Sequence, residues 1–230
     1  MMCKYLSITA FSLSLATFCV KAQEKSIRPA KPFHTIEVGS GIDLHLKQSD
    51  TLSIEVESPV EYIDRIQTKI SDSVLIIKAV QPMRWGYEKS PKVYVAFNQL
   101  KSLIAISGAD VYGTGVFGLG NLSIVAHSGA DIYITLECQT LRINAREGSG
   151  VKVSGKARSL KAIVGSGSDL NAGELKADHC EITANGGSDA IVNVAINLEA
   201  NANDGSNIGY IGNPAIKELT ESGGSDIYRR

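Results

Sequence analysis

The sequence predicts an all-β repeat fold, a parallel β-helix (a solenoid) with coils of about 19 residues. The first observation is a recurring phrase, which reads SGADVYG, SGADIYI, SGSDLNA and GGSDAIV, and more loosely EGSGVKV, DGSNIGY and GGSDIYR. The second observation is its spacing, because the glycines at its second position follow one another at roughly 18 to 21 residues. These glycines are Gly108, Gly129, Gly148, Gly167, Gly187, Gly205 and Gly224.

A third observation is that apolar and polar residues alternate around each glycine. Apolar residues recur seven, five and three residues before it and three residues after it. The column after the glycine contains Val111, Ile132, Val151, Leu170, Ala190, Ile208 and Ile227. Alternation at period two is typical of β-strands, so we expect each repeat to be one coil whose inward residues stack on those of its neighbours.

The phrase itself predicts a sharp corner in each coil. Glycine permits the positive φ that such a corner requires, and a small Ala or Ser follows it. An acidic column then stands at Asp110, Asp131, Asp169, Asp189 and Asp226, interrupted by Gly150 and Asn207. We expect these side chains to close Asx-turns at their own corners. The alternative is that a ladder of carboxylates about 4.8 Å apart binds cations such as calcium, although both interruptions remove charge.

Residues 33–106 are rich in predicted strands but show no obvious period. We expect them to cap the first coil, because an open coil end is an edge that can template aggregation. Ser58 and Pro59 favour a short helix near 59–65. The sequence GSGIDLHL at 39–46 resembles the corner phrase but lies far outside the series.

The loop at 81–91 is the best single candidate for a contact site. It contains Trp85, the only Trp of the chain, together with Arg84 and Tyr87. Exposed aromatic rings beside a charge can stack on a sugar ring. The alternative is that these side chains plug the core of the cap.

The N-terminus has the features of a signal peptide. Lys4 precedes an apolar run at 6–20, and Val20 and Ala22 are suited to the two positions that signal peptidase reads. We expect cleavage after Ala22, with a retained anchor or lipidation at Cys19 as alternatives. The expected organisation is a signal peptide at 1–22, a linker at 23–32, a capping segment at 33–106 and repeats at 107–230, with the last two packed as one domain.

Two cysteines, Cys138 and Cys180, follow the expected cleavage site. Cys180 falls in an inward Leu column, whereas Cys138 is expected in a loop. Because they lie two coils apart in different columns, we expect no disulfide between them.

The residue pattern gives no indication of catalysis, cofactor or nucleic acid. The four histidines (His34, His45, His127 and His179) share no register, and no metal-protease or nucleophile motif is present. Lys and Arg are scattered, and the net charge is -1, which argues against nucleic acid as a partner. No integral membrane segment is expected after signal cleavage. The enzyme alternative is a polysaccharide lyase or hydrolase in which the Asp column supplies paired carboxylates.

The repeated Gly-Ser-Asp turns (167–169, 187–189 and 224–226) and the GSGIDLHL sequence resemble the bacterial family called putative auto-transporter adhesin, head GIN domain. The resemblance covers residues from about Phe33 to the end. It implies a right-handed β-helix, export and an adhesin role, and it supplies no catalytic or binding residues.

The resulting hypothesis is a non-catalytic binding module in the periplasm, at the cell surface or secreted. Its expected partners are a glycan or an envelope or surface protein. A structural envelope scaffold without a ligand is a further alternative.

Overall fold

The computed structural model describes residues 23–81 and 90–230. It confirms the predicted β-solenoid, which has about seven turns. The described residues form seventeen strands and one 3-10 turn. In chain order these are β1 (Gln23–Arg28), β2 (Thr35–Val38), β3 (Asp43–Gln48), β4 (Ser53–Pro59), a 3-10 turn (Ile63–Arg65), β5 (Ile66–Ser71), β6 (Val74–Ala79), β7 (Lys92–Phe97), β8 (Ser102–Ile106), β9 (Asp110–Gly118), β10 (Asn121–His127), β11 (Asp131–Arg146), β12 (Gly150–Gly165), β13 (Asp169–Asn185), β14 (Asp189–Ala202), β15 (Asn207–Ile211), β16 (Ile216–Glu221) and β17 (Asp226–Arg229).

The core consists of the inward columns that the sequence predicts. Leu141 on β11 lies opposite Leu160 on β12, and Cys180 on β13 lies opposite Leu198 on β14. All four side chains are buried. Parallel pairing in register places the apolar residues of one coil on those of the next. Each coil therefore covers the apolar residues of its neighbour, and the core continues along the whole axis.

Each predicted corner contains two successive residues with positive φ. Ser107 and Gly108 have φ values of 54° and 69°, and the same pair of conformations recurs at Glu147 and Gly148. The glycine amide then donates a hydrogen bond to the next coil, as Gly108 N–H does to the Ser128 carbonyl at 3.0 Å. The corner therefore links neighbouring coils as well as turning the chain.

A different glycine allows close approach of the coils away from this corner. Gly155 has φ of 107°, and a Cβ atom placed on it would lie 2.1 Å from the carbonyl oxygen of Leu136 on the preceding coil. No side chain fits at that distance. Glycine is thus required here by contact between coils as well as by backbone conformation.

The coils begin before residue 107, within the segment expected to be a cap. Strands β2 and β3 lie between the β6–β7 coil and the β8–β9 coil and are parallel to both. Among the described strands, antiparallel pairing is confined to β1 with β4, β4 with β7 and β5 with β6, at the outer end. The coil formed by β2 and β3 therefore lies one coil inside the solenoid. After β3 the chain folds outward to close the end, and from β8 it continues on the other side of the β2–β3 coil.

Two local expectations for this segment need correction. Residues 23–28, expected within a linker, form β1, which pairs with β4 over its whole length. The helix expected near 59–65 is reduced to the 3-10 turn Ile63–Arg65, because β4 extends through Pro59. The alternating residues Ile54, Val56 and Ser58 are buried, and this burial outweighs the local signal for a helix start.

Candidate functional site

The acidic column predicted from the repeats is in register in the structure. Asp110 lies opposite Asp131, and Gly150 then separates Asp131 from Asp169. Asp189, Asn207 and Asp226 complete the column on the following coils. These side chains point outward on the face that follows each corner, which we call the post-corner face.

The column also has a member that the sequence analysis placed outside the series. Asp43, from the GSGIDLHL sequence, lies opposite Asp110 on one side and Lys92 on the other. The inserted strands β4 to β7 account for the long sequence interval. We call Asp43, Asp110, Asp131, Asp169, Asp189 and Asp226 the Asp column.

The hydrogen bonds of the corner come from residues other than those expected. The described residues include no bond from a carboxylate of the Asp column to an amide of its own turn, which an Asx-turn requires. Instead, the Ser149 amide donates to Ser168 Oγ on the next coil at 3.1 Å, and the Ser188 amide donates to Ser206 Oγ at the same distance. Since these serines are buried, their hydroxyls satisfy amides that have lost contact with water.

The carboxylates of the Asp column stand no more than one to a coil. Within residues 23–81 and 90–230, no group of three or more His, Cys, Asp or Glu side chains is placed to hold a metal ion. Next to Gly150, Asp131 Oδ1 occupies the space into which a Cβ atom would project, at 2.5 Å. On the following coils, Asp189 Oδ1 accepts a hydrogen bond from Asn207 Nδ2 at 2.9 Å.

An aromatic column runs beside the first half of the Asp column. Tyr94, His45, Tyr112 and Tyr133 stand two residues after Lys92, Asp43, Asp110 and Asp131. Successive ring centroids are 4.9, 5.4 and 5.5 Å apart, and the interplanar angles are 17°, 23° and 5°. We call these four side chains the ring column. Stacking at the coil spacing holds them in one flat ribbon, and Tyr112 and Tyr133 are exposed.

Desolvation beside this ribbon shifts the pKa values of its neighbours. Desolvation, followed by the charges of Asp131 and Asp43, raises the pKa of Asp110. Desolvation also raises the pKa of Asp43, although His45 and Lys92 oppose this shift. Burial, with a smaller contribution from Lys92, lowers the pKa of His45. The imidazole is therefore neutral at physiological pH and stacks as an uncharged ring.

The outer end of the ring column is closed by charged side chains. Lys25 Nζ lies 5.5 Å from the centroid of the Tyr94 ring and 2.7 Å from Glu55 Oε1. Glu57 lies 3.6 Å from the same ammonium group. At the other end the rings stop, and the same column continues after Tyr133 with Lys152, Asn171, Ile191 and Gly209.

Comparison with known protein families assigns the chain. The model of the family described as putative auto-transporter adhesin, head GIN domain, matches residues 32–214. The chain belongs to this family. The match includes the ring column and ends before β16, and it confirms the resemblance inferred from the corner phrases.

Solved structures with the same fold as this head GIN chain include three bacterial proteins. A putative adhesin from Bacteroides fragilis has a TM-score of 0.86 at 22% identity, with 91% of this chain and 98% of that chain covered. A putative lipid binding protein from Parabacteroides distasonis has a TM-score of 0.69 at 16% identity, with 90% and 96% covered. A putative adhesin from Parabacteroides merdae has a TM-score of 0.67 at 18% identity, with the same coverage. No curated protein matches the sequence. At these identities the likeness shows the fold alone.

The loop residues predicted as a contact site, Arg84, Trp85 and Tyr87, lie outside the described residues. The described chain leaves β6 at Ala79 and enters β7 at Lys92, which stands in the same column as Asp43. The loop is thus connected directly to the strand that carries Tyr94. Its role as a contact site stays a prediction.

The two cysteines in the described part of the head GIN chain, Cys138 and Cys180, are both free and buried. Cys180 occupies the Leu column as predicted. Cys138 is not in a loop but in β11, opposite Ala157, with its side chain directed inward. Burial raises the pKa of Cys138 to about 11 and that of Cys180 to about 12, so both stay protonated thiols.

The remaining histidines do not join the ring column. His34 Nδ1 contacts Thr35 Oγ1 at 3.2 Å, and His127 Nδ1 contacts Ser128 Oγ at 2.9 Å on the opposite side of the corner. His179 pairs with Ser159 on β12. Among the described residues, no helix has the length and apolar character needed to cross a membrane.

Proposed function

We propose that this chain is an exported binding module of the bacterial cell surface without catalytic activity, and that its ring column binds an extended glycan. The ring column is the observation that carries the proposal. Family membership and the structural likeness to putative adhesins support a surface role. The features of a signal peptide at 1–22 support export.

The ring column combines the two kinds of contact that sugars require. Its stacked rings present apolar edges, and the Tyr112 and Tyr133 hydroxyls can donate and accept hydrogen bonds. The carboxylates of Asp43, Asp110 and Asp131 stand beside them as acceptors for sugar hydroxyls. Ligand sites generally place a few polar groups on a largely apolar surface in this way.

The repeat of the site favours a linear ligand. Stacked coils lie about 4.8 Å apart, which is comparable with the length of one pyranose ring along an extended chain. A glycan that lies parallel to the solenoid axis would meet one carboxylate and one ring per sugar. Three neighbouring carboxylates repel anionic ligands, so neutral glycans or amino sugars are favoured over acidic ones.

A glycan-array screen of the chain from Gln23 onward tests this proposal, run with and without calcium. Wild-type protein is expected to bind a class of neutral linear glycans. Tyr112→Ala is expected to weaken binding about tenfold, as for a central aromatic contact, whereas Asn171→Ala, in the same column outside the rings, retains it. Trp85→Ala in parallel tests whether the loop contributes. Absence of binding under all conditions, or equal loss in both column variants, would overturn the proposal.

The enzyme alternative has a separate readout. Carboxylates on successive coils resemble the short separation used by retaining glycosidases. Cleavage of a bound polysaccharide by pure protein, abolished by Asp110→Asn or Asp169→Asn, would replace the binding function with hydrolysis or lysis. Absence of glycan binding, together with end-to-end association of the chain, would favour the alternative of a structural scaffold without a ligand.

A further inference from the structure

A second outward face lies on the other side of the glycine corner. It contains β8, β10, the later parts of β11 to β14, and β16, and we call it the pre-corner face. One of its columns stands six residues before each corner glycine and contains Ser102, Ser123, Arg142, Lys161, Glu181, Glu199 and Glu218. The charge along this column changes sign once, between Lys161 and Glu181.

Most of these charges form no ion pair with the described part of the chain. Lys161 pairs with Glu181. Arg142, Glu199 and Glu218 are exposed, and none of them forms an ion pair with another residue in 23–81 or 90–230. Glu199 also stands between Glu181 and Glu218, and like charges directly opposite one another on neighbouring strands are destabilising.

We propose that the pre-corner face pairs with the same face of a second copy of this chain, in an antiparallel dimer. A two-fold axis parallel to the strands and located between β12 and β13 makes the charged column complementary to itself. Arg142 of one copy then faces Glu199 of the other, and Lys161 faces Glu181. At the edge, Glu218 faces Ser123. A self-complementary patch of this kind is what an isologous dimer requires.

The neighbouring column is compatible with the same axis. It contains Val125, Asn144, Ile163, Thr183, Asn201 and Thr220. The axis places Ile163, which is 43% exposed, against Thr183, and it places Asn144 against Asn201. None of these six side chains is charged, so the pairing brings no like charges together in this column.

The size of the face suits a dimer. Strands β10, β11, β12, β13, β14 and β16 map onto one another in pairs about the axis. Six strands spaced about 4.8 Å apart, each about seven residues long, cover roughly 650 Å² of surface per copy. This area is close to the ~800 Å² that each partner buries in a standard interface. Since the ring column lies on the other side of the corner, this pairing leaves it uncovered.

Sedimentation velocity of the full chain across the micromolar range, at low and high salt, tests the dimer. We expect a dimer that weakens with added salt, because its contacts are between exposed charges. Arg142→Glu places two acidic groups opposite each other at both symmetry-related contacts and should raise the dimer Kd about tenfold or more. The double variant Arg142→Glu, Glu199→Arg exchanges the partners and should restore the dimer.

Lys152→Glu is the matched control, because Lys152 is an exposed cation on the post-corner face. It should leave the dimer unchanged. A wild-type chain that is monomeric at low salt would overturn the proposal, and so would a double variant that dimerises no better than Arg142→Glu. Glycan binding by a monomeric chain would leave the proposed function standing, so the two proposals fail separately.

Discussion

The two halves of the post-corner face share the same coil geometry, lie on different strands and differ in their chemistry. In the first half, Tyr112 and Tyr133 stack beside Asp110 and Asp131, and burial raises the pKa of Asp110. In the second half, Lys152, Asn171, Ile191 and Gly209 occupy the ring positions, and Asp189 is hydrogen bonded to Asn207 instead of standing beside a stacked ring. The repeat thus fixes where side chains project, and the residue type at each outward position decides which coils form a site.

The largest effect is expected where the scaffold shared by both halves is broken. Gly155 lies on β12, the first coil without a ring, and Gly155→Ala would place a methyl group 2.1 Å from the Leu136 carbonyl oxygen. Neighbouring coils would have to separate, so we expect the free energy of unfolding to fall by about 3 kcal/mol or more. Chemical denaturation measures this loss.

Gly167→Ala is the matched control for that substitution. Gly167 also has positive φ, 68°, but no atom lies within 4 Å of the position of an added Cβ. Only the backbone conformation is then penalised, by about 1–2 kcal/mol. Equal destabilisation by both substitutions would show that contact between coils at Gly155 is unimportant.

A smaller effect distinguishes the carboxylates of the two halves. Because the pKa of Asp110 is raised in the folded chain, the folded state binds this proton more tightly than the unfolded state. The resulting stabilisation is fully present below the unfolded pKa of about 3.9 and is lost as the pH rises through the folded pKa. Asp110→Asn removes this charge. The variant should therefore be more stable than wild type at pH 7, by less than about 1 kcal/mol after solvent screening, and the advantage should disappear near pH 3.

Asp169→Asn, in the same column but without a stacked ring beside it, is expected to change stability by no more than about 0.5 kcal/mol at pH 7. Thermal unfolding of both variants across this pH range makes the comparison. A pH-independent effect of Asp110→Asn would contradict the account of its environment.

The repeats were predictable because each coil carries the same inward pattern. The positions of Leu160 and Leu198 follow from counting back from Gly167 and Gly205. The sign change on the pre-corner face is readable in the same way, six residues before each glycine, once outward columns are examined as well as inward ones. The spacing from the corner glycine is sufficient to predict the register wherever neighbouring coils also follow one another directly in the sequence.

The ring column was missed because it breaks that condition. His45 and Tyr112 meet across an interval of 67 residues that contains the antiparallel strands of the cap. A signal was nevertheless present, since GIDLH at 41–45 and GADVY at 108–112 place a ring two residues after an Asp. The Asx-turns were expected from local propensity, whereas the serine hydroxyls of the next coil provide the observed hydrogen bonds. Contacts between coils outweighed the local preference.

Isothermal titration of the array-selected glycan into wild-type protein, Tyr133→Ala and Tyr228→Ala tests the central claim most directly. The two tyrosines stand in the same column with similar exposure, 42% and 39%, but only Tyr133 stacks in the ring column. The account predicts that Tyr133→Ala raises Kd about tenfold and that Tyr228→Ala binds like wild type. Equal affinity of the two variants would contradict the assignment of the binding site to the ring column.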